Sequence, residues 1–69
     1  MSSIPTSEAV TFFDCDNDQE AAVIVRSVTD KVALCISLEK GGDIEVMLSP
    51  SQAKLVVDAL QKAVASMNS

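Results

Sequence analysis

The fold is decided by the stretch Ser49–Met67, which has the sequence SPSQAKLVVDALQKAVASM. Its apolar residues recur at the three- and four-residue spacing of one helix face, and at about 100° per residue they fall within an arc of roughly 120°. These residues are Ala53, Val56, Val57, Leu60, Ala63, Val64 and Met67. The pattern predicts an amphipathic C-terminal helix that needs an apolar surface to cover.

The start of this helix carries its own signals. The hydroxyl of Ser49 can accept a hydrogen bond from the first turn, and Pro50 suits the first helical position because no partner for its missing N–H is needed there. Gln52 follows Ser49 by three residues and completes a capping box. The sequence therefore predicts that the helix begins at Ser49 and Pro50.

The preceding residues predict the strands that supply this surface. Val32–Leu38 and Asp43–Leu48 alternate apolar and polar residues, as half-buried strands do. Ala21–Val28 is rich in β-branched residues, and Ala9–Phe13 is a candidate fourth strand. We expect an α+β fold in which an antiparallel meander of three or four strands has the C-terminal helix packed on one face.

The last two strands predict a hairpin with a defined register. Directly opposed residues share a face of the sheet, so apolar residues should oppose apolar residues. The expected pairs are Leu38 with Ile44, Ile36 with Val46, and Leu34 with Leu48. Glu39 and Asp43 then close a three-residue loop, in which Gly42 takes the left-handed position without steric cost.

Length and composition predict one small domain. We expect residues 1–8 to fray and residues 9–69 to fold together. A chain of 69 residues is close to the size at which only about 60% of the unfolded surface is buried, so its core needs a disulfide, a metal or a second copy. No signal peptide or membrane-spanning run is visible, which predicts a cytoplasmic protein with reduced Cys15 and Cys35.

The distribution of charge argues against nucleic-acid binding. The net charge is −5. In residues 1–30 Arg26 is the only cation among several acids, whereas residues 31–69 are balanced. A phosphate backbone would be repelled by the first half and would find no basic patch in the second.

Catalysis and cofactor binding are not expected, because the side chains that they use most often are missing. The chain has no His, Tyr or Trp, which removes imidazole chemistry and every nucleophile that is paired with a histidine. Gly41 and Gly42 lie in the predicted hairpin, and no Gly-rich phosphate loop occurs.

One acidic stretch begins like a calcium loop. Its carboxylates are Asp14, Asp16, Asp18 and Glu20. An EF-hand starting at Asp14 needs Gly at its sixth place and Glu at its twelfth, where this chain has Gln19 and Val25. The EF-hand is rejected, which leaves a solvated acidic loop or, as a weaker alternative, an adventitious Ca²⁺ or Mg²⁺ site.

The strand pattern places an unusually apolar set of residues on the sheet face away from the helix. The interface candidates are Phe13, Ile24, Val28, Cys35 and Met47, together with Leu55 on the helix. An intramolecular alternative is cover by the segment Phe12–Phe13, and scattered apolar residues without a partner are also common on protein surfaces.

These features lead to two hypotheses for function. The first is a small non-catalytic protein-interaction module that forms a homodimer through this second face or through a sheet edge. The alternative is an acidic inhibitor or decoy that presents the carboxylates of residues 14–20 to a basic protein partner, with fast and salt-sensitive association.

Overall fold

The computed structural model describes residues 6–67. Its elements are β1 (Ser7–Asp14), β2 (Gln19–Val28), β3 (Lys31–Leu38), β4 (Gly42–Leu48) and α1 (Pro50–Met67). The strands form one antiparallel sheet in the order β1-β2-β3-β4. The predicted α+β meander with a C-terminal helix is confirmed, and the candidate fourth strand is part of the sheet.

The first strand is longer than predicted. Ser7 and Glu8 belong to β1, so the expected fraying over 1–8 is wrong for these two residues, and residues 1–5 lie outside the described part. The Thr6 N–H donates to Ser27 Oγ at 2.7 Å, and the Ser27 N–H donates to the Thr6 carbonyl at 2.9 Å. Backbone pairing with β2 holds Ser7 and Glu8 in the strand, although their polar side chains lack the apolar alternation that predicts a strand.

The connections of β2 are shorter than predicted. The acidic loop narrows to residues 15–18, because Gln19 and Glu20 already belong to β2. The turn to β3 consists of Thr29 and Asp30, with Val28 opposite Lys31. Thr29 has a φ of 52°, a conformation that is strained for a β-branched residue and that two-residue hairpin turns require.

The register of the last hairpin differs from the predicted one by two residues. The observed pairs are Val32 with Leu48, Leu34 with Val46, Ile36 with Ile44, and Leu38 with Gly42. A two-residue shift keeps every side chain on its face, so the hydrophobic pattern does not distinguish the two registers. In the observed register Ser37 opposes Asp43 and its hydroxyl donates to Asp43 Oδ1 at 2.7 Å. The predicted register would place Glu39 against Asp43, two like charges.

The tip of this hairpin is hydrogen-bonded to the start of β2. Gln19 is buried, and its Oε1 accepts a hydrogen bond from the Lys40 N–H at 3.0 Å. Gly42 has a φ of 85°, the left-handed conformation that was predicted for it, although it pairs with Leu38 instead of lying within the loop. A Cβ at Gly41 would lie 2.9 Å from Leu38 Cδ1, so a larger residue there would require the Leu38 side chain to shift.

The capping box at the start of α1 is confirmed. The Gln52 N–H donates to Ser49 Oγ at 3.2 Å, and the Ser49 N–H donates to Gln52 Oε1 at 2.9 Å. Two N–H groups that the helix cannot satisfy internally are thus paired. Within residues 6–67, no helix combines the length and the hydropathy that crossing a membrane requires.

Replacing this cap should weaken the fold modestly. Ser49→Ala removes the acceptor for the Gln52 N–H and should lower the free energy of unfolding by about 1 kcal/mol. Ser51→Ala is the matched control, because the Ser51 hydroxyl bonds to the Ser49 hydroxyl and not to an N–H of the first turn, and it should change stability by less than about 0.5 kcal/mol. Denaturant unfolding followed by circular dichroism measures both, and equal effects would show that the cap contributes nothing.

Candidate interaction surface

The strand registers divide the sheet into two faces. The front face, on the side of α1, carries Val10, Phe12, Val23, Val25, Val32, Leu34, Ile36, Ile44, Val46 and Leu48. The back face carries Phe13, Ile24, Val28, Ala33, Cys35 and Met47. Both faces are therefore rich in apolar side chains, and the position of α1 determines how much of the front face is covered.

The helix covers one end of the front face. Between α1 and the sheet lies an apolar crevice of about 160 Å³, lined by Val23, Val25, Val32, Leu34, Leu48, Ala53, Val56, Val57 and Leu60. The backbone of α1 approaches β3 and β4 and neither of the other strands. Strand alternation predicts that the helix covers Leu34, Ile36, Leu38, Ile44, Val46 and Leu48, which share one face. This is wrong for Ile36, Ile44 and Val46, since all three are exposed. Because only Ser49 separates β4 from α1, the helix starts at the Leu48 end of the sheet and misses the other end.

The C-terminal part of the apolar helix stripe is itself uncovered. Leu60, Val64 and Met67 are 62%, 59% and 81% exposed, and α1 contains no buried residue. Across residues 6–67, the buried apolar residues are Ala21 and Ala33 alone. The apolar stripe of the helix and the apolar face of the sheet are thus only partly packed against each other within one chain.

The predicted interface residues fall into two groups. Phe13, Ile24, Val28, Cys35 and Met47 share the back face, whereas Leu55 lies on α1 and does not line the crevice. On the back face, Phe13 and Met47 are exposed and the other three are half-buried. Their role in an interface remains a prediction.

Polar contacts cross the back face among these residues. Arg26 Nη2 lies 2.7 Å from Glu45 Oε2, joining β2 to β4 across β3. The bond from Ser37 to Asp43 lies on the same face. These bonds pair four polar side chains of the back face within the chain. The charged residues of the front face, Glu8 and Asp14, lie instead on the edge strand β1.

The uncovered residues of the front face are Val10, Phe12, Ile36, Ile44 and Val46. The alternation predicts only the last three of them as part of the face under the helix. One signal could have identified them: four strands spaced about 4.8 Å apart make a sheet wider than the roughly 10 Å diameter of one helix. A single helix therefore leaves part of an apolar four-stranded face uncovered.

A second surface feature is an acidic corner, formed by Asp14, Asp16, Asp18, Glu20 and Glu39. Glu39 joins it because the Glu20 N–H donates to Glu39 Oε1 at 3.1 Å and the Glu39 N–H donates to the Glu20 carbonyl at 3.0 Å. Glu39 could not be assigned to this corner from the sequence, since its position depends on the pairing of β2 with β3. Lys40 Nζ lies 3.9 Å from Asp18 Oδ2, and both side chains are largely exposed.

The carboxylates of this corner do not converge on one point. Within the described residues, no three His, Cys, Asp or Glu side chains are grouped to hold a metal ion. Asp14 is instead bonded inside its own turn, where Asn17 Nδ2 donates to Asp14 Oδ2 at 2.7 Å. Cys15 and Cys35 are both free thiols.

The Asn17 side chain lowers the pKa of Asp14, because its hydrogen bond stabilises the charged carboxylate. A carboxylate whose pKa is lower in the folded than in the unfolded state stabilises the fold above its unfolded pKa, and this contribution is lost as the pH falls through the folded pKa. Asn17→Ala should therefore raise the pKa of Asp14 and reduce the loss of stability on acidification. An NMR titration of the carboxyl carbon measures the change, with Gln52→Ala as a distant amide control that should leave the pKa of Asp14 unaltered.

Comparison of the chain with protein-family models, with curated proteins and with solved structures gave no match.

Proposed function

We propose that this protein is a non-catalytic protein-interaction module that self-associates through its front face. The proposal rests on one observation: most apolar side chains of α1 and much of the front face are exposed to solvent in the single chain. Fully burying a Val, Leu, Ile or Phe side chain contributes about 1.5–3 kcal/mol. Association thus supplies stabilisation that the single chain does not obtain from its own folding.

The exposed apolar surface supports a partner as large as a second copy. Phe12 and Ile44 on the front face are 47% and 63% exposed, and Leu60 and Val64 on α1 are 62% and 59% exposed. A standard interface buries roughly 800 Å² on each partner, and a second copy would cover both groups of side chains together.

The front face is favoured over the back face by its exposed apolar side chains. On the strands, those of the front face are Val10, Phe12, Val25, Ile36, Ile44 and Val46, whereas those of the back face are Phe13 and Met47. The back face also carries the bonded pair Arg26 and Glu45. Desolvating an ion pair offsets part of the gain from apolar burial there.

Thermal unfolding at several protein concentrations tests this proposal. If the folded state is a dimer, a hundredfold rise in concentration stabilises it by about 2.7 kcal/mol through mass action, and the midpoint should rise by several degrees. A midpoint that stays constant over this range would contradict self-association.

A second candidate function is an acidic inhibitor or decoy. Its supporting observation is the acidic corner, where Asp16, Asp18, Glu20 and Glu39 are all exposed. Such a cluster would attract a basic protein surface by long-range electrostatics, with association that weakens as salt rises.

Charge-neutralised variants test this second candidate. Asp14→Asn, Asp16→Asn and Asp18→Asn together should abolish capture of a basic partner from an extract of the host. The matched control changes three acids outside the corner: Glu8→Gln, Asp30→Asn and Asp58→Asn. If capture of the basic partner is salt-sensitive and reduced equally in both variants, the reduction results from the change in net charge rather than from the acidic corner.

A further inference from the structure

We infer that the occupant of the front face is the helix of a second copy, so that the distal half of α1 in each chain packs on the uncovered sheet of its partner. This inference rests on the proposed self-association and specifies its geometry. The helix contributes Leu60, Val64 and Met67. The sheet contributes Val10, Phe12, Ile36 and Ile44.

These two apolar surfaces do not meet within one chain. The crevice between helix and sheet is lined by helix residues from Ala53 to Leu60, and no later residue of α1 reaches it. The backbone of α1 does not approach β1, which carries Val10 and Phe12. Each chain therefore offers the helix residues Val64 and Met67 without a sheet to cover, with Leu60 at the boundary of the crevice, and an apolar sheet region without a helix.

A two-fold axis brings the two surfaces together. In a symmetric dimer, the helix of the first chain packs on the sheet of the second, and the helix of the second packs on the sheet of the first. The dimer therefore contains two equivalent helix-to-sheet contacts. The segment from Leu60 to Met67 is about 10 Å long at 1.5 Å per residue. The sheet from β1 to β4 spans about 14 Å at 4.8 Å per strand, which is wide enough to receive it.

The charges beside these surfaces favour a partner helix over a stacked partner sheet. The charged residues of the front face are Glu8 and Asp14, which lie at the two ends of β1. Lys62 is the only charged residue in the distal half of α1, and it lies about 200° around the helix from Leu60, away from the apolar stripe. The stripe therefore brings no charge onto the partner's front face, whereas direct stacking of two front faces brings acids towards acids.

Site-directed cross-linking tests the inference. In a background with Cys15→Ser and Cys35→Ala, one chain carries Phe12→Cys and a differently tagged chain carries Val64→Cys. After mixing, unfolding and refolding, a short bismaleimide should link the two tagged chains to each other. The matched control replaces Val64→Cys by Leu55→Cys, on the part of α1 away from the crevice, and should give severalfold less of the mixed product.

The outcomes separate this inference from the proposal on which it rests. Light scattering first establishes whether the uncross-linked variants are dimers, and the pair Val10→Cys with Met67→Cys repeats the test at neighbouring positions. A dimer that gives mainly Phe12→Cys homodimers has stacked sheets, and one that gives mainly Val64→Cys homodimers has paired helices. Either result would overturn the packing of each helix on the partner's sheet but would leave self-association in place. A wild-type protein that is monomeric overturns self-association as well.

Discussion

Ile44→Glu is expected to convert the protein into a monomer, whereas Met47→Glu should leave its association unchanged. Both residues lie on β4 and are exposed in the single chain, by 63% and 49%, but Ile44 is on the front face and Met47 on the back face. A glutamate in the interface loses its hydration without gaining a partner. Together with the lost isoleucine contacts, this should raise the dissociation constant at least about 100-fold, or about 2.7 kcal/mol.

Sedimentation velocity of the two variants at matched concentrations measures this difference. Because both substitutions introduce the same charge into the same strand, strand propensity and net charge cancel in the comparison. Dissociation by Met47→Glu, with Ile44→Glu still associated, would move the interface to the back face, where Phe13, Ile24 and Cys35 lie.

The second large effect is expected on the helix. Leu60→Glu should abolish association and lower the free energy of unfolding by about 3 kcal/mol or more, because it places a charge in the stripe that faces the sheet. Leu55→Glu should change stability by less than about 0.5 kcal/mol. Leu60 and Leu55 are 62% and 68% exposed in the single chain, so exposure in one chain alone predicts equal effects.

Denaturant unfolding at a fixed protein concentration gives both free energies. Glutamate is a good helix former, so the two variants keep the intrinsic helix propensity nearly constant. Equal and small effects would show that the stripe of α1 remains solvated in the functional protein, which would contradict the proposed interface.

The elements that depend on local chemistry could be predicted from the sequence. The start of α1 follows from Ser49 and Gln52, whose side chains bond to backbone groups within three residues. Strand faces follow from alternation, because a side chain's face depends only on whether its position is odd or even along the strand.

The hairpin register could not be predicted in this way, because a shift of two residues preserves the faces. It follows from contacts between distant residues, such as the bonds from Ser37 to Asp43 and from Lys40 to Gln19. The position of Glu39 in the acidic corner depends on the same pairing and was missed for the same reason.

The extent of helix cover was wrong for a geometric reason. The apolar pattern shows that a helix stripe and a sheet face both need partners, but it does not show that they are partners of each other within one chain. The single residue between Leu48 and Pro50 limits where α1 can lie, so Ile36 and Ile44 stay exposed. An apolar pattern on a short chain therefore fits a shared core between chains as well as a core within one chain.

The mass of the wild-type protein in solution decides whether the chain self-associates. Sedimentation equilibrium at micromolar concentration should give twice the mass of the 7.3 kDa chain, with dissociation only on dilution. A mass of one chain at every concentration, with the helix folded by circular dichroism, would contradict the proposal.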